Sequence, residues 1–469
     1  MRRKTRGYLR VLSVAVCSAM LLAAFPASAL DRQEEIPPLT EEETAIAIED
    51  PVYSFLIRYT YPNKDLLLEK LQELEGELEQ EIDYMRCIAV RVNMDQLAAL
   101  KDMACVEQVE RNYDYNLLTE EEEIPAISDE MRRQLAGEPP ARESEPESVM
   151  SAQGVLAEAS ELEALPMNPI DLAYAQNIKG QNVKIALFDT GISPHPDFQI
   201  TGGVSFVGNR TDTTDENGHG TQMAGIVASS GIGNPSVKGA APDAELYAVK
   251  LVSGDGFITT ATILQGIGWA LQNDIDIINM SFGTYLYSGI LEEAIEIAHE
   301  HQILMVGAVG NDGGFADEYR VMYPAAYEHV IAVGAGSAGG TESFSNNNEK
   351  LDFVAPGRLD TTALGQQYTH VTGTSASAAY VAGLLANLKS SDPALDNTET
   401  LALAKSAAVV ASSQRDYVGF GEIRLDRVLE ARENTASRAP LTIDAEPDKA
   451  ERNSHVVLEA LEAVEEAQN

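Results

Sequence analysis

The 469-residue sequence predicts an α/β protein with a mostly parallel central sheet flanked by helices, preceded by a small α+β unit. Two observations carry this expectation. Between residues 166 and 431, short apolar runs alternate with helix-length periodic segments, the pattern of strands joined by crossover helices. Residues 51–115 carry a shorter cycle of their own: strand, helix, strand, helix, strand.

The elements follow in chain order. Arg2, Arg3, Lys4, Arg6 and Arg10 precede an apolar run from Val11 to Phe25, and Ala27-Ser28-Ala29 offers small residues for a signal peptidase. The run is short for a membrane span, which needs roughly 20 apolar residues. A signal peptide over 1–29 and export are expected; an uncleaved anchor is the alternative. Val16 before Cys17 is too bulky for a lipoprotein site. Residues 30–50 read as an acidic spacer.

In the unit 51–115, Val52–Tyr59, Met85–Val92 and Val106–Tyr115 are strand-like. Leu67, Leu71, Leu74 and Leu78 recur at helical spacing, and Met94–Met103 is a second helix, with room left for one more short strand. Residues 116–165 hold runs of acids and a Gly137-Glu138-Pro139-Pro140 segment, the composition of a solvated linker. In 166–431 the strand-like runs are Val183–Phe188, Glu245–Leu251, Ile275–Met280, Ile303–Ala308 and Val330–Ala335. Gly220–Ala228, Thr260–Gln272 and Tyr287–His301 are helical in pattern. Residues 432–469 are an acidic tail.

Charge and cysteine narrow the function classes. Asp and Glu number 73 against 33 Lys and Arg, a formal net charge of −40. Such a surface repels nucleic acid and anionic membranes. Beyond the leader only Cys87 and Cys105 remain, so there is no disulfide scaffold and no cysteine cluster for zinc. Both read as buried small hydrophobes rather than a bridge.

Three motifs carry chemistry. Asp189-Thr190-Gly191 follows a strand, where open α/β sheets gather functional groups. An aspartic protease would need a second carboxylate of this kind, and no second Asp-Thr-Gly occurs. His219 lies in Asn217-Gly218-His219-Gly220-Thr221, with glycines on both sides that leave the imidazole unobstructed. Ser375 lies in Gly373-Thr374-Ser375-Ala376-Ser377-Ala378 at the start of a helical stretch. Thr374, Ser375 and Ser377 could each serve as a helix N-cap; the functional alternative is a nucleophile. The order Asp, His, Ser is one of the known orders of a catalytic triad. A serine hydroxyl needs an imidazole to take its proton, and the imidazole needs a carboxylate to fix its tautomer.

Over roughly residues 169–431 these motifs resemble the subtilase family of serine proteases. Four more matches fall in order: Ile278-Asn279-Met280-Ser281-Phe282-Gly283, Val309-Gly310-Asn311-Asp312-Gly313, Tyr323-Pro324-Ala325 and Phe353-Val354-Ala355-Pro356-Gly357. The resemblance implies a subtilisin-like three-layer fold and an endopeptidase working through an acyl-enzyme. Asp189, His219 and Ser375 would form the triad and Asn311 the oxyanion hole. Ser281, Phe282, Gly283 and Gly310 would bind substrate. Met322, where many relatives carry glycine, would shorten the S1 pocket. Ala379 and Tyr380 replace a usual proline and histidine, and Gln222 a usual histidine; altered packing is expected there.

The unit at 51–115 resembles the family's inhibitory prodomain, through Val106-Glu107-Gln108-Val109-Glu110. Protein or peptide substrates and the chain's own prodomain are therefore the expected partners, with no nucleic acid and no membrane after signal cleavage. The maturation cut is expected near Tyr115–Leu118, with Met150-Ser151 as rival. No cofactor is required for the chemistry. Subtilases often hold structural calcium, and Asp197 matches a frequent ligand position beside the loop Ser229–Val237. A secreted, self-processing zymogen is the leading expectation; a non-catalytic or permanently latent binding protein is the alternative.

Two further motifs fail on context. Gly334-Ala335-Gly336-Ser337-Ala338-Gly339 fits a dinucleotide pattern but continues as a turn, and His299-Glu300-His301 has the wrong spacing for a zinc helix.

Overall fold

The computed structural model describes residues 51–118, 169–252, 257–313, 321–410 and 418–427. The expected signal peptide, spacer, tail and nearly all of the linker lie outside the described residues.

The N-terminal unit runs β1 (Tyr53–Tyr59), α1 (Lys64–Glu73), β2 (Glu77–Ile82), β3 (Cys87–Val92), α2 (Met94–Lys101) and β4 (Val106–Arg111), followed by β5 (Asp114–Leu117). Strands β2-β3-β1-β4 form one antiparallel sheet. Period-two alternation decides its faces. Phe55 and Ile57 face α1 and α2, packing with Leu67, Leu71, Leu97 and Leu100. Leu56, Cys87 and Ala89 point the other way, into the core of the following unit. Cys87 and Cys105 are both buried and free.

The leucine spacing that suggests a helix through Leu78 misleads at its end. Helix α1 stops at Glu73, Glu75 turns into the left-handed region (φ 57°), and Leu78 belongs to β2. That is the extra strand for which the sequence left room.

The larger unit continues with α3 (Pro169–Ala175), β6 (Lys184–Asp189), β7 (Ile200–Ser205), α4 (His219–Ala228), β8 (Glu245–Lys250), β9 (Phe257–Thr259) and α5 (Thr260–Gln272). Then come β10 (Ile277–Met280), β11 (Phe282–Gly283), α6 (Gly289–Glu300), β12 (Leu304–Ala308), β13 (Val330–Ser337), β14 (Gly340–Thr341) and β15 (Phe353–Ala355). The hairpin β16 (Arg358–Ala363) and β17 (Gln367–Thr372) leads to α7 (Thr374–Ser391), α8 (Asn397–Ala407) and the short pair β18 (Ala408–Val409) and β19 (Glu422–Ile423).

Among the described residues the central sheet has the order β14-β13-β12-β10-β6-β8-β7, with β15 beside β13. All its pairings are parallel except β13–β14. Its strands are apolar on both faces, as a doubly covered sheet requires. Ile185, Leu187, Ile277 and Val306 pack toward α4 and α7. Ala186, Phe188, Ile278 and Met305 pack toward α5 and α6. The result is the three-layer architecture that the sequence predicts, preceded by a small α+β unit. The glycine-rich run at 334–339 is the end of β13 turning back into β14, so no helix follows it.

Candidate active site

Asp189 is the last residue of β6 and is fully buried. The neighbouring Thr190 donates to its Oδ1 from N–H (2.7 Å) and hydroxyl (3.2 Å). His219 opens α4, and its Nδ1 lies 2.8 and 2.9 Å from the two oxygens of Asp189. A carboxylate only accepts, so Nδ1 carries the hydrogen and Nε2 is the basic nitrogen.

Two local devices bring these groups together. Gly220 allows α4 to approach the turn after Asp189, since a Cβ there would meet the Gly191 carbonyl at 2.0 Å. Asp215, 3% exposed, holds the turn into α4. It accepts from the N–H groups of Asn217, Gly218 and Thr221 and from the Thr221 hydroxyl, at 2.7–2.9 Å. Sequence reasoning missed Asp215; its signal was an acid set shortly before a Gly-His-Gly turn.

Ser375 is the second residue of α7, entered from Gly373 at φ 154°. Its Oγ lies 2.9 Å from the carbonyl oxygen of Leu118 and 3.2 Å from that of Ser281. The same Leu118 oxygen is 3.4 Å from Nδ2 of Asn311. The Asn311 amide is oriented by Thr374, whose N–H (2.9 Å) and hydroxyl (2.8 Å) both donate to Oδ1. With Oδ1 engaged, Nδ2 is the end that faces the carbonyl.

Leu118 ends an extended segment that fills a cleft. Strand β5 pairs antiparallel with β11 on one side, Leu117 opposite Phe282 and Asn116 opposite Gly283. On the other side it pairs with β9, Tyr115 opposite Ile258. Leu118 N–H donates to the Ser281 carbonyl at 3.2 Å. Tyr115 is wholly buried with its ring edge-on to Phe282, centroids 6.0 Å apart, and Leu117 and Leu118 are each 7% exposed. A Cβ on Gly283 or on Gly310 would meet the Met322 Sδ, at 2.9 and 3.1 Å, so the thioether sits between β11 and the Asn311 loop.

The subtilase family profile matches residues 180–434. This chain belongs to the subtilase family. Residues 180–434 are accordingly a serine endopeptidase domain, and the relatives agree. The thermostable alkaline protease of Halalkalibacterium halodurans is 35% identical over 332 residues, 69% of this chain and 88% of that protein. Subtilisin DY of Bacillus licheniformis is 39% identical over 265 residues, 56% and 96% of the two chains. The minor extracellular protease Epr of Bacillus subtilis is 32% identical over 360 residues, 76% of this chain; the chain spans 52% of that longer protein. Among solved structures, fervidolysin from Fervidobacterium pennivorans superposes with a TM-score of 0.62 at 21% identity, over 81% of this chain and 61% of that one, a likeness of fold.

In this subtilase Asp197 does not fit the calcium role expected of it. The carboxylate is 1% exposed and both oxygens face protein donors. Gly233 N–H donates to Oδ1 at 2.5 Å and the Tyr368 hydroxyl donates to Oδ2 at 2.8 Å; the Ser229 hydroxyl lies 3.3 Å from Oδ2 and donates to the Val237 carbonyl at 2.6 Å. Calcium takes six to eight oxygen acceptors, whereas the expected loop turns an amide N–H toward the carboxylate. Among the described residues no cluster of three or more His, Cys, Asp or Glu could hold a metal. The other departures from the family pattern concern packing: Ala379 and Tyr380 lie within the buried run of α7, and the Gln222 carbonyl accepts from Thr361.

Proposed function

We propose that this subtilase is a secreted zymogen whose residues 51–118 are a prodomain that inhibits the enzyme and is cut from it at the Leu118–Thr119 bond. The observation that carries this reading is the Leu118 carbonyl, 2.9 Å from Ser375 Oγ and 3.4 Å from Asn311 Nδ2. A carbonyl oxygen lodged between the serine hydroxyl and an oxyanion donor puts the Leu118–Thr119 bond beside the groups that would cut it. The segment Tyr115–Leu118 then fills subsites P4 to P1.

In this reading Ser375 attacks, and His219 takes the proton and returns it to the leaving amine. Asp189 holds His219 in the right tautomer. Asn311 receives the oxyanion, a donor worth about 10²–10³ in turnover. Ser281, Phe282, Gly283 and Gly310 line the substrate strand, and Met322 closes the S1 pocket. No cofactor enters any step. Water, activated by His219, then hydrolyses the Ser375–Leu118 ester, and Leu118 remains with its new carboxylate as a product-like plug.

Contacts outside the cleft support the inhibitor role. Glu110 accepts from the Ser288 hydroxyl at 2.7 Å and from Gly289 N–H at 3.1 Å, at the N-terminus of α6. Asn112 Oδ1 accepts from Ala261 N–H at 3.0 Å at the start of α5. Tyr84 lies on Gly268 and donates to the Leu264 carbonyl at 2.8 Å. Export is inferred from the basic-apolar-small leader at 1–29. No helix of the described residues is long and apolar enough to cross a membrane.

The test is to express residues 30–469 beside a Ser375→Ala variant and to follow intact mass. The wild type should yield a fragment beginning at Thr119, and the variant should stay whole. Processing of both, or a cut elsewhere such as Met150-Ser151, would overturn the assignment.

A further inference from the structure

An amide that stabilises an oxyanion works only if its main chain is held still. Residues 310–313 follow β12 as a loop with no helix or strand pairing of their own. Thr374 orients the Asn311 side chain and touches Gly310 N–H at 3.3 Å. The backbone on both sides of Asn311 is held from elsewhere, by Phe344–Asn346.

Asn346 is fully buried and spans the loop. Its N–H donates to the Gly310 carbonyl at 3.0 Å, before Asn311. Its Oδ1 accepts from Asp312 N–H at 2.8 Å, after Asn311. One residue later, Gly313 N–H donates to the Phe344 carbonyl at 2.8 Å. The fit is close: a Cβ on Gly310, at φ 114°, would meet Asn346 Nδ2 at 2.4 Å.

Asn346 is itself braced. Its Nδ2 donates to the Tyr285 hydroxyl at 2.9 Å, and that hydroxyl donates to Asp312 Oδ2 at 3.0 Å. Tyr285 follows β11, the strand that pairs with the P2 and P3 residues. The substrate strand and the oxyanion loop are thus tied through one side chain.

We infer that Asn346, braced by Tyr285, is a positioning residue for catalysis: it fixes the Asn311 main chain so that Nδ2 meets the developing oxyanion. This rests on the reading of Asn311 as the oxyanion donor. Asn346 touches no reacting atom and acts only through Asn311.

The test compares Asn346→Ala and Tyr285→Phe, each with and without Asn311→Ala, as processed enzyme on a Tyr-Asn-Leu-Leu anilide. Active-site titration corrects every rate for the folded fraction. Asn346→Ala should lower kcat about tenfold with KM changed less than about twofold, and Tyr285→Phe should lower kcat about threefold. In the Asn311→Ala background both losses should shrink below about twofold, because the group being positioned is gone. Equal losses in both backgrounds would overturn the inference while leaving the oxyanion reading intact. If Asn311→Ala alone leaves kcat unchanged, the oxyanion reading itself fails, and the inference with it. Should Asn346→Ala yield no folded enzyme, Tyr285→Phe decides by the same comparison.

Discussion

Leu118 is held at its carbonyl by Ser375 and Asn311 and at its N–H by Ser281, contacts that any P1 residue could make. Selectivity must therefore come from the space for its side chain, and in the proposed reading Met322 limits that space. The Met322 thioether fills the gap between Gly283 and Gly310. Removing it should deepen S1. In Met322→Gly, the kcat/KM ratio of Phe over Leu at P1 should rise about tenfold or more, within the range that pocket methylenes are worth. A wild-type profile already dominated by Phe or Tyr would refute the role given to Met322. The candidate triad was legible in the sequence because its geometry is local. Asp189 ends a strand, and His219 and Ser375 each lie in the first turn of a helix entered from a glycine. Asp215, Thr374 and Asn346 were not legible as site residues. Their work is to accept or donate across 2 to 64 positions of chain, and a single polar residue carries no periodic signal for that.

At the scale of elements, the strand β5 matters most. It reads in sequence as the end of a longer strand, Val106–Tyr115, yet the structure splits that run. Residues 106–111 pair with β1, and residues 114–117 cross into the cleft between β9 and β11. Pairing partners so distant in the chain leave no local trace; the resemblance to subtilase prodomains, not the pattern, pointed to Tyr115–Leu118 as a segment at the cleft. Strand β7 was missed for a related reason, since Ile200–Ser205 contains Gly202 and Gly203 and shows no alternation. The buried strands and the helices α4, α5 and α6 were legible because their periodicity is set by burial itself. Helix α6 also gives a prediction. Its N-terminal N–H groups have no partners within the helix, and Glu110 of the N-terminal unit supplies a negatively charged acceptor. If residues 51–118 act as the proposed inhibitor, this contact should help to keep them bound after the Leu118–Thr119 bond is cut. Glu110→Ala should shorten the delay before peptide hydrolysis begins by about tenfold, the value of a charge-assisted hydrogen bond of about 1.5 kcal/mol. An unchanged delay would mean that the cleft strand alone holds the inhibitor.

The whole molecule carries a formal net charge of −40, so any divalent cation can stabilise it weakly by screening. That diffuse effect must be separated from a built site. At Asp197 the molecule has a clasp made of protein groups. Tyr368 brings in the β16–β17 hairpin, Gly233 brings in the loop after α4, and Asp197 itself lies on the segment after Asp189. Burial and the adjacent carboxylate push the Tyr368 hydroxyl up to about 12, so it remains a donor at neutral pH. These hydrogen bonds tie together three segments that frame α4, and therefore His219. Chelation with EDTA at constant ionic strength should leave Tm unchanged at this site, and added calcium should do no more than added magnesium. Tyr368→Phe should lower stability by about 1 kcal/mol, the value of one hydrogen bond, which shifts Tm by about 2–4 °C in a unit of this size. A large fall in Tm with EDTA, reversed by calcium and not by magnesium, would show that calcium holds the fold. A Tyr368→Phe variant with unchanged Tm would show that the clasp does not.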